Sequence, residues 1–373
     1  MKELTAKFPG LLIEVYESPQ PLNVDVALVD QASHLSLVWH NPIVLAFMER
    51  GPRGASKLLQ APGELPVWIS PPGAAPGRKF EVKTRNCVPD GEIQQNVLYS
   101  MTLGLPCLPR TKAHGERALV VSAGPSLVNA IEDIRQTAQQ GGRLVCVKHS
   151  HDMLLDAGIT PWACVLLDPR AHVKDFVEEP APGVKYFVSS TCHPSSFDRL
   201  LSRGAEVWLY HALVGAGEQP LIAMYNQTKR LTRQQAEAEA ASLGLQLASP
   251  APYNSAEHMV SGGTTAASRG LSVLHMLGFR HFVLWAFDSC LWEKPDLSAR
   301  KEDGQPRYHE LNLGGRTWWT DAELYAQVQD FQNILPSYPD CTFEPRGDGM
   351  IPHLIRSTHV GIDRRLEDVF PVG

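Results

Sequence analysis

The chain of 373 residues is 43% hydrophobic and 20% charged, with a formal net charge of −6. This is the balance of an ordinary globular protein of two or three domains, with a sizeable core and no overall basic footprint for nucleic acid. No apolar run approaches the ~20 residues of a membrane span, and the opening Met1-Lys2-Glu3-Leu4 lacks the pattern of a signal peptide.

Residues 1–85 carry three apparent strands, Leu11–Tyr16, Val24–Val29 and Pro66–Ser70, and a short helix over Asn41–Glu49. The Pro- and Gly-rich stretch Pro71–Gly77 reads as a linker. A small α/β accessory domain without a chemical motif is the expectation here. Residues 86–116 form a connector, with a helix over Ile93–Leu103 that turns Val97, Leu98 and Met101 to one face and stops at Gly104-Leu105-Pro106.

From residue 117 to 360 strands and helices alternate. Ala118–Val121, Leu144–Val147, Trp162–Leu167, Lys185–Ser190, Glu206–Tyr210 and His281–Ala286 read as buried strands. Helices are expected after residue 126, over Asp152–Ala157, Lys229–Ala241, Ala266–Leu277 and Asp321–Ile334. Residues 291–320 show no period and read as loop; Cys341–Phe343 reads as a last strand, Arg346–Pro352 as loop, and 361–373 as a tail. This order predicts an α/β fold with a doubly wound, mostly parallel, Rossmann-like sheet covered by helices on both faces.

Three loops are expected at the carboxyl edge of that sheet, where open α/β folds bind ligands. The first is Gly124-Pro125-Ser126, a tight turn with Ser126 at a helix N-cap, where a hydroxyl and free N–H groups can hold an anion. The second is Asp168, which ends an apolar strand and can bind Mg²⁺, take a ribose hydroxyl or act as a base; it can equally be an N-cap or a structural partner of Arg170. The third is Ser261-Gly262-Gly263-Thr264-Thr265, whose glycines let a phosphate approach the backbone. No Lys follows them, so it is no Walker A loop. Asp288, after the next strand, repeats the Asp168 argument.

His149 and His151 in Lys148-His-Ser-His-Asp152 would face one way on an extended chain, but no second Cys/His pair completes a zinc pattern, and a polar cleft rim is preferred. His193, in Thr191-Cys-His-Pro194, is an acid/base candidate or a hydrogen-bonded loop residue. The seven cysteines are scattered without a CxxC, as in a cytoplasmic protein with reduced thiols. Arg316-Thr-Trp-Trp-Thr320 reads either as a stacking platform for a flat base or as a lid packed on the core.

Five of these segments, in order, resemble the family of the archaeal 6-hydroxymethylpterin diphosphokinase MptE and the Maf motility-associated flagellin glycosyltransferases. They are Ala118–Leu127 with its Gly-Pro-Ser-Leu; Asp152–Asp168; Ser261–Thr265 through Gly278-Phe279 to Asp288; Gly315–Thr320 with Phe331; and Gly347–Pro352. Ala286-Phe287-Asp288 replaces the usual Val-Gly-Asp context, and Trp162 stands where an Asp often follows Pro. Residues 1–85 lie outside the likeness.

The resemblance implies a nucleotide-binding transferase. The leading expectation is Mg²⁺-dependent transfer of a diphosphate or phosphoryl group from a nucleoside triphosphate to a hydroxymethyl acceptor. Gly124, Pro125, Ser126 and Ser261–Thr264 would cradle phosphates, Asp168 with Asp288 would hold the metal, and His193 would be a base. A glycosyltransferase using a nucleotide-activated sugar is the alternative, and a non-catalytic nucleotide-binding module the third. The expected partner is the small-molecule nucleotide donor, with no membrane or general nucleic acid; the acceptor and any homo-oligomer stay open.

Overall fold

The apolar runs are short and rich in β-branched residues, which suits strands buried on both faces, and the computed structural model gathers them so. It describes the strands of residues 13–16, 26–29, 44–50 and 56–58 by their backbone alone, and then residues 88–213, 231–249, 259–263, 265–301, 304, 306–313 and 316–357. The chain divides into two units, Met1–Lys83 and Thr84–Gly373.

In the first unit, β1 (Ile13–Tyr16), β2 (Val26–Val29), β3 (Val44–Arg50) and β4 (Ser56–Leu58) form one sheet in that order. The expected helix over Asn41–Glu49 is therefore a strand, β3, paired with β2 in parallel and β4 antiparallel. A short apolar run has no periodicity to separate helix from strand, and neighbouring backbone decides. The expected strand at 66–70 and linker at 71–77 lie outside the described residues.

The second unit opens with α1 (Asp90–Thr102), which buries Ile93, Asn96, Val97 and Ser100 and leaves Leu98 exposed, a face rotated from the one expected. There follow β5 (Arg117–Val121), α2 (Leu127–Gln139), β6 (Arg143–Val147), α3 (Ser150–Asp156), β7 (Ala163–Leu166), β8 (Lys185–Ser189), α4 (Pro194–Ser202) and β9 (Glu206–Tyr210). Then come α5 (Arg233–Ser242), α6 (Ala266–Met276), β10 (His281–Trp285), β11 (His309–Leu313), β12 (Arg316–Thr320), α7 (Ala322–Ile334), β13 (Thr342–Pro345) and α8 (Met350–Ser357).

Seven strands make one all-parallel sheet in the order β13-β10-β5-β6-β7-β8-β9. The chain winds outward from β5 to β9 and then returns to the other side of β5, so the strand order reverses between β5 and β10. Alternate side chains feed two cores. Leu119, Val121, Cys146, Leu166 and Val188 meet Leu127, Ile134, Leu154 and Phe197 of the early helices. Val120, Val145, Val165, Phe187 and Leu284 meet Leu271, Leu274, Phe331 and Ile351 of the late ones. This is the doubly wound α/β fold.

Two further segments differ from the sequence reading. The expected loop over 291–320 contains the antiparallel hairpin β11–β12, whose Trp318 is buried in the core against His353. The expected loop over 346–352 runs into helix α8. Among the described residues no helix is long and apolar enough to cross a membrane. All six described cysteines are buried free thiols.

Candidate functional site

Because every strand of the large sheet runs the same way, the segments leaving β5, β6, β7, β8 and β10 meet at one edge. Gly124–Ser126, Lys148, Asp168, His193 and Asp288 all lie in these segments. The start of α6 joins them, since Gly270, one turn in, packs on Val147 and Val165 at the carboxyl ends of β6 and β7.

Asp168 is the centre of one cluster. Its Oδ1 accepts from the Arg170 Nε (2.8 Å) and backbone N–H (3.2 Å); its Oδ2 accepts from Arg170 Nη2 (2.7 Å) and Lys148 Nζ (2.9 Å). Burial alone would raise this carboxyl, but the Arg170 and Lys148 cations outweigh it and hold it well below the usual carboxylate range. The expected alternative, a structural partner of Arg170, is what the side chain does here. Lys148 was not among the expected residues. It sits at φ 50°, in the left-handed region that costs a residue with a Cβ about 1–2 kcal/mol, and this turn aims it at Asp168.

The covering of the cluster is aromatic. Leaving Arg170, a 3₁₀ turn over Ala171–Phe176 brings Phe176 against the His149 ring (centroids 3.6 Å apart) and within 5.6 Å of the Lys148 ammonium. Burial, then the Lys148 charge, lowers the His149 pKa. His151 turns elsewhere, to Asp152 and the Tyr186 hydroxyl, because residues 150–156 are helical and not extended. Asn96 of α1, buried and also unexpected, donates to the carbonyls of Pro169 (3.2 Å) and Thr191 (3.1 Å) and so ties the β7 and β8 exits together.

Asp288 and the Gly124 turn form a second cluster, at the strand-order reversal. Ser126 is the N-cap residue of α2, but its side chain makes no capping bond. Its hydroxyl donates instead to Asp288 Oδ1 (2.7 Å) and its N–H to Oδ2 (2.8 Å). The anion at this helix N-terminus is thus the protein's own carboxylate. Asp288 is 1% exposed, and a Cβ at Gly124 would lie 2.5 Å from its Oδ2 and 2.4 Å from the Ala286 carbonyl, so only glycine allows the approach. Ala286, which accepts from the Gly124 N–H, holds φ 57°.

In the third loop Gly262 and Gly263 have φ 109° and 60°, and a Cβ on either would collide with the hydroxyls of Ser272 (2.1 Å) and Ser268 (2.0 Å). Arg269 of α6, buried and missed in the sequence, holds the carbonyls of Gly263 (2.8 Å), Leu213 (3.1 Å) and Val260. Thr265 caps α6 through the Ser268 N–H. Ser261 is exposed, and Thr264 lies outside the described residues.

His193 is the N-cap of α4: its Nδ1 accepts from the Ser195 N–H (3.2 Å). An N–H can only donate, so in the neutral ring Nε2 carries the proton and offers it to an acceptor. Cys192, its neighbour, has its thiol pushed up to about 12 by burial and is no nucleophile. Trp162 precedes β7 and packs on Phe187 and Phe279 at the opposite edge, so its departure from the family pattern does not touch this site.

Residues 101–293, more than half of the chain, match the sequence model of the family described as 6-hydroxymethylpterin diphosphokinase MptE-like. The chain belongs to the MptE-like family. The match spans all three site loops of this MptE-like chain. No curated protein matches it. Among solved structures it is similar to a Maf glycosyltransferase from Magnetospirillum magneticum AMB-1, at 16% identity and a TM-score of 0.48, over 69% of this chain. It spans 38% of the length of that structure.

A resident Mg²⁺ on Asp168 fits this geometry poorly. A carboxylate has about four lone-pair positions, and the four hydrogen bonds from Arg170 and Lys148 fill them. Asp288 has two positions left but is covered. Mg²⁺ keeps several waters around it, which neither carboxylate has room for.

Proposed function

We propose that this protein is a nucleotide-dependent transferase in which Lys148 and Arg170 hold the phosphates of the donor. The observation that carries this reading is the pair of cations fixed on one buried carboxylate at the sheet's carboxyl edge. Arg170 is 45% and Lys148 20% exposed, so both face the edge from which Asp168 orients them. Membership of the MptE-like family supports a transferase and makes diphosphate transfer from a nucleoside triphosphate to a hydroxymethyl acceptor the first chemistry to test.

In that reaction the acceptor hydroxyl oxygen forms a bond to phosphorus and gives its proton to solvent while the bond to the leaving nucleotide breaks. Such transition states spread charge over the phosphoryl oxygens, and catalysis is chiefly positioning and electrostatic stabilisation. Lys148 and Arg170 are preorganised for that task, and Asp168 positions them instead of holding a metal. His193 Nε2–H is a further donor on the same edge and acts as a hydrogen-bond donor, not a base. Ser126 and Asp288 brace the turn beside them.

The test is a thermal-shift panel with ATP, GTP, CTP, CMP and UDP- and CMP-sugars, with and without Mg²⁺, on wild type, Lys148→Met and Arg170→Met. A ligand at a hundredfold excess over its Kd adds ~2.7 kcal/mol of apparent stability. A triphosphate shift in wild type that both variants lose supports the proposal. A preference for a nucleotide sugar moves the activity to glycosyl transfer at the same cations. A shift that both variants retain, or none at all, overturns it.

A further inference from the structure

At the opposite edge of the sheet, three side chains of different chemistry converge. His275 lies in the last turn of α6, while Asp340 and Cys341 immediately precede β13. The donor atoms of the three all lie within 4.8 Å of one another. Asp340 Oδ1 is 3.4 Å from His275 Nε2 and 3.6 Å from Cys341 Sγ.

Those two separations are the edges of a tetrahedron around zinc. With Zn–N and Zn–O near 2.0–2.2 Å and Zn–S near 2.3 Å, tetrahedral O···N and O···S edges come to about 3.4 Å and about 3.6 Å. The His–Cys edge, which is within 4.8 Å, comes to about 3.6 Å by the same bond lengths. Imidazole, thiolate and carboxylate together are a donor set for zinc and not for Mg²⁺ or Ca²⁺.

We propose that His275, Asp340 and Cys341 form a three-ligand Zn²⁺ site that ties the end of α6 to the start of β13, with the fourth position open to solvent. Arg280 completes the support. Its Nε engages Asp340 Oδ2, and its Nη1 donates to the carbonyls of His275 (2.9 Å) and Phe279 (2.8 Å). This fixes the carboxylate with Oδ1 turned toward the other two donors, the task of an outer partner in a metal site. Asp340 is 54% and His275 29% exposed, which gives the ion a way in, while Cys341 is buried at the floor. Cys341 binds as its thiolate, so metal uptake exchanges the thiol proton for the metal and releases it to water.

The experiment is titration of the metal-stripped full chain with Co²⁺, followed by displacement with Zn²⁺. Expected are one equivalent bound, a sulfur-to-cobalt charge-transfer band, its removal by one equivalent of Zn²⁺, and a rise in Tm with zinc. Cys341→Ser should abolish the band, and Asp340→Asn should weaken binding at least tenfold. If Cys341→Ser does not fold, His275→Gln, whose side chain is part-exposed, serves: the affinity must fall at least tenfold. No stoichiometric uptake, or uptake unchanged in these variants, overturns the site.

Discussion

Asp168 illustrates how one residue type can serve opposite ends. A carboxylate at a strand tip is a natural metal ligand or base, yet here it is a clamp for two cations. Its depressed pKa makes an acid-linked contribution to stability, present above the ordinary carboxylate pKa of about 3.9 and lost as pH falls below it. Asp168→Asn should therefore lower stability at pH 7 by about 2 kcal/mol and reduce the loss below pH 4, read by urea unfolding at both pH values. A denaturation midpoint at pH 7 equal to wild type would refute the clamp. The Asp168 candidacy was legible in the sequence as an apolar strand ending in a charge. Lys148 was not, because nothing in the string Lys148–Asp152 announces a left-handed lysine.

At the scale of elements, the Gly-rich loop shows a requirement that ligand binding does not explain. Gly262 and Gly263 are demanded by the close Ser272 and Ser268 hydroxyls and by positive φ. Gly262→Ala should cost about 2–4 kcal/mol, and adding Ser272→Ala should recover only the steric part, since the strain of φ 109° remains. Chemical denaturation of the single and double variants reads this; full recovery in the double variant would exclude backbone strain. The alternating strands and helices were readable from apolar runs and glycine stops. The β11–β12 hairpin was not, although Glu310-Leu311-Asn312-Leu313 alternates, because five residues among polar neighbours give too short a period. β3 failed for the same reason, its run of Val44–Arg50 being equally good as about two turns of helix.

For the whole molecule, a buried histidine and a half-buried glutamate oppose each other in pH. Burial pushes His211 down to about 4, so between there and its ordinary 6.5 the unfolded chain binds a proton that the folded one refuses, and stability falls as pH falls. Burial pushes Glu239 up to about 7, so between its ordinary 4.5 and 7 the folded chain keeps a proton that the unfolded one releases, and stability falls as pH rises. In the wild type these two contributions oppose each other between pH 4.5 and 6.5. In Glu239→Gln the opposing glutamate is gone, and His211 with the other lowered histidines, His149, His275 and His309, should make stability climb with pH across that window more steeply than in the wild type, by on the order of 2 kcal/mol. Equal pH slopes for the two proteins would show that Glu239 is ordinary in the folded state.

The bond between Ser126 and Asp288 spans 162 residues. Strands β5 to β9 can pair with near neighbours as the chain emerges, but β10 must come back across the whole interval from Tyr210 to His281 to find β5. Closing so long a loop is slow and late. A nascent chain that has emerged only as far as β9 therefore presents the amino end of α2 without its carboxylate, open to any passing anion. The docking of β10 brings Asp288 to that position, so this part of the edge closes only after the chain has been made past residue 288.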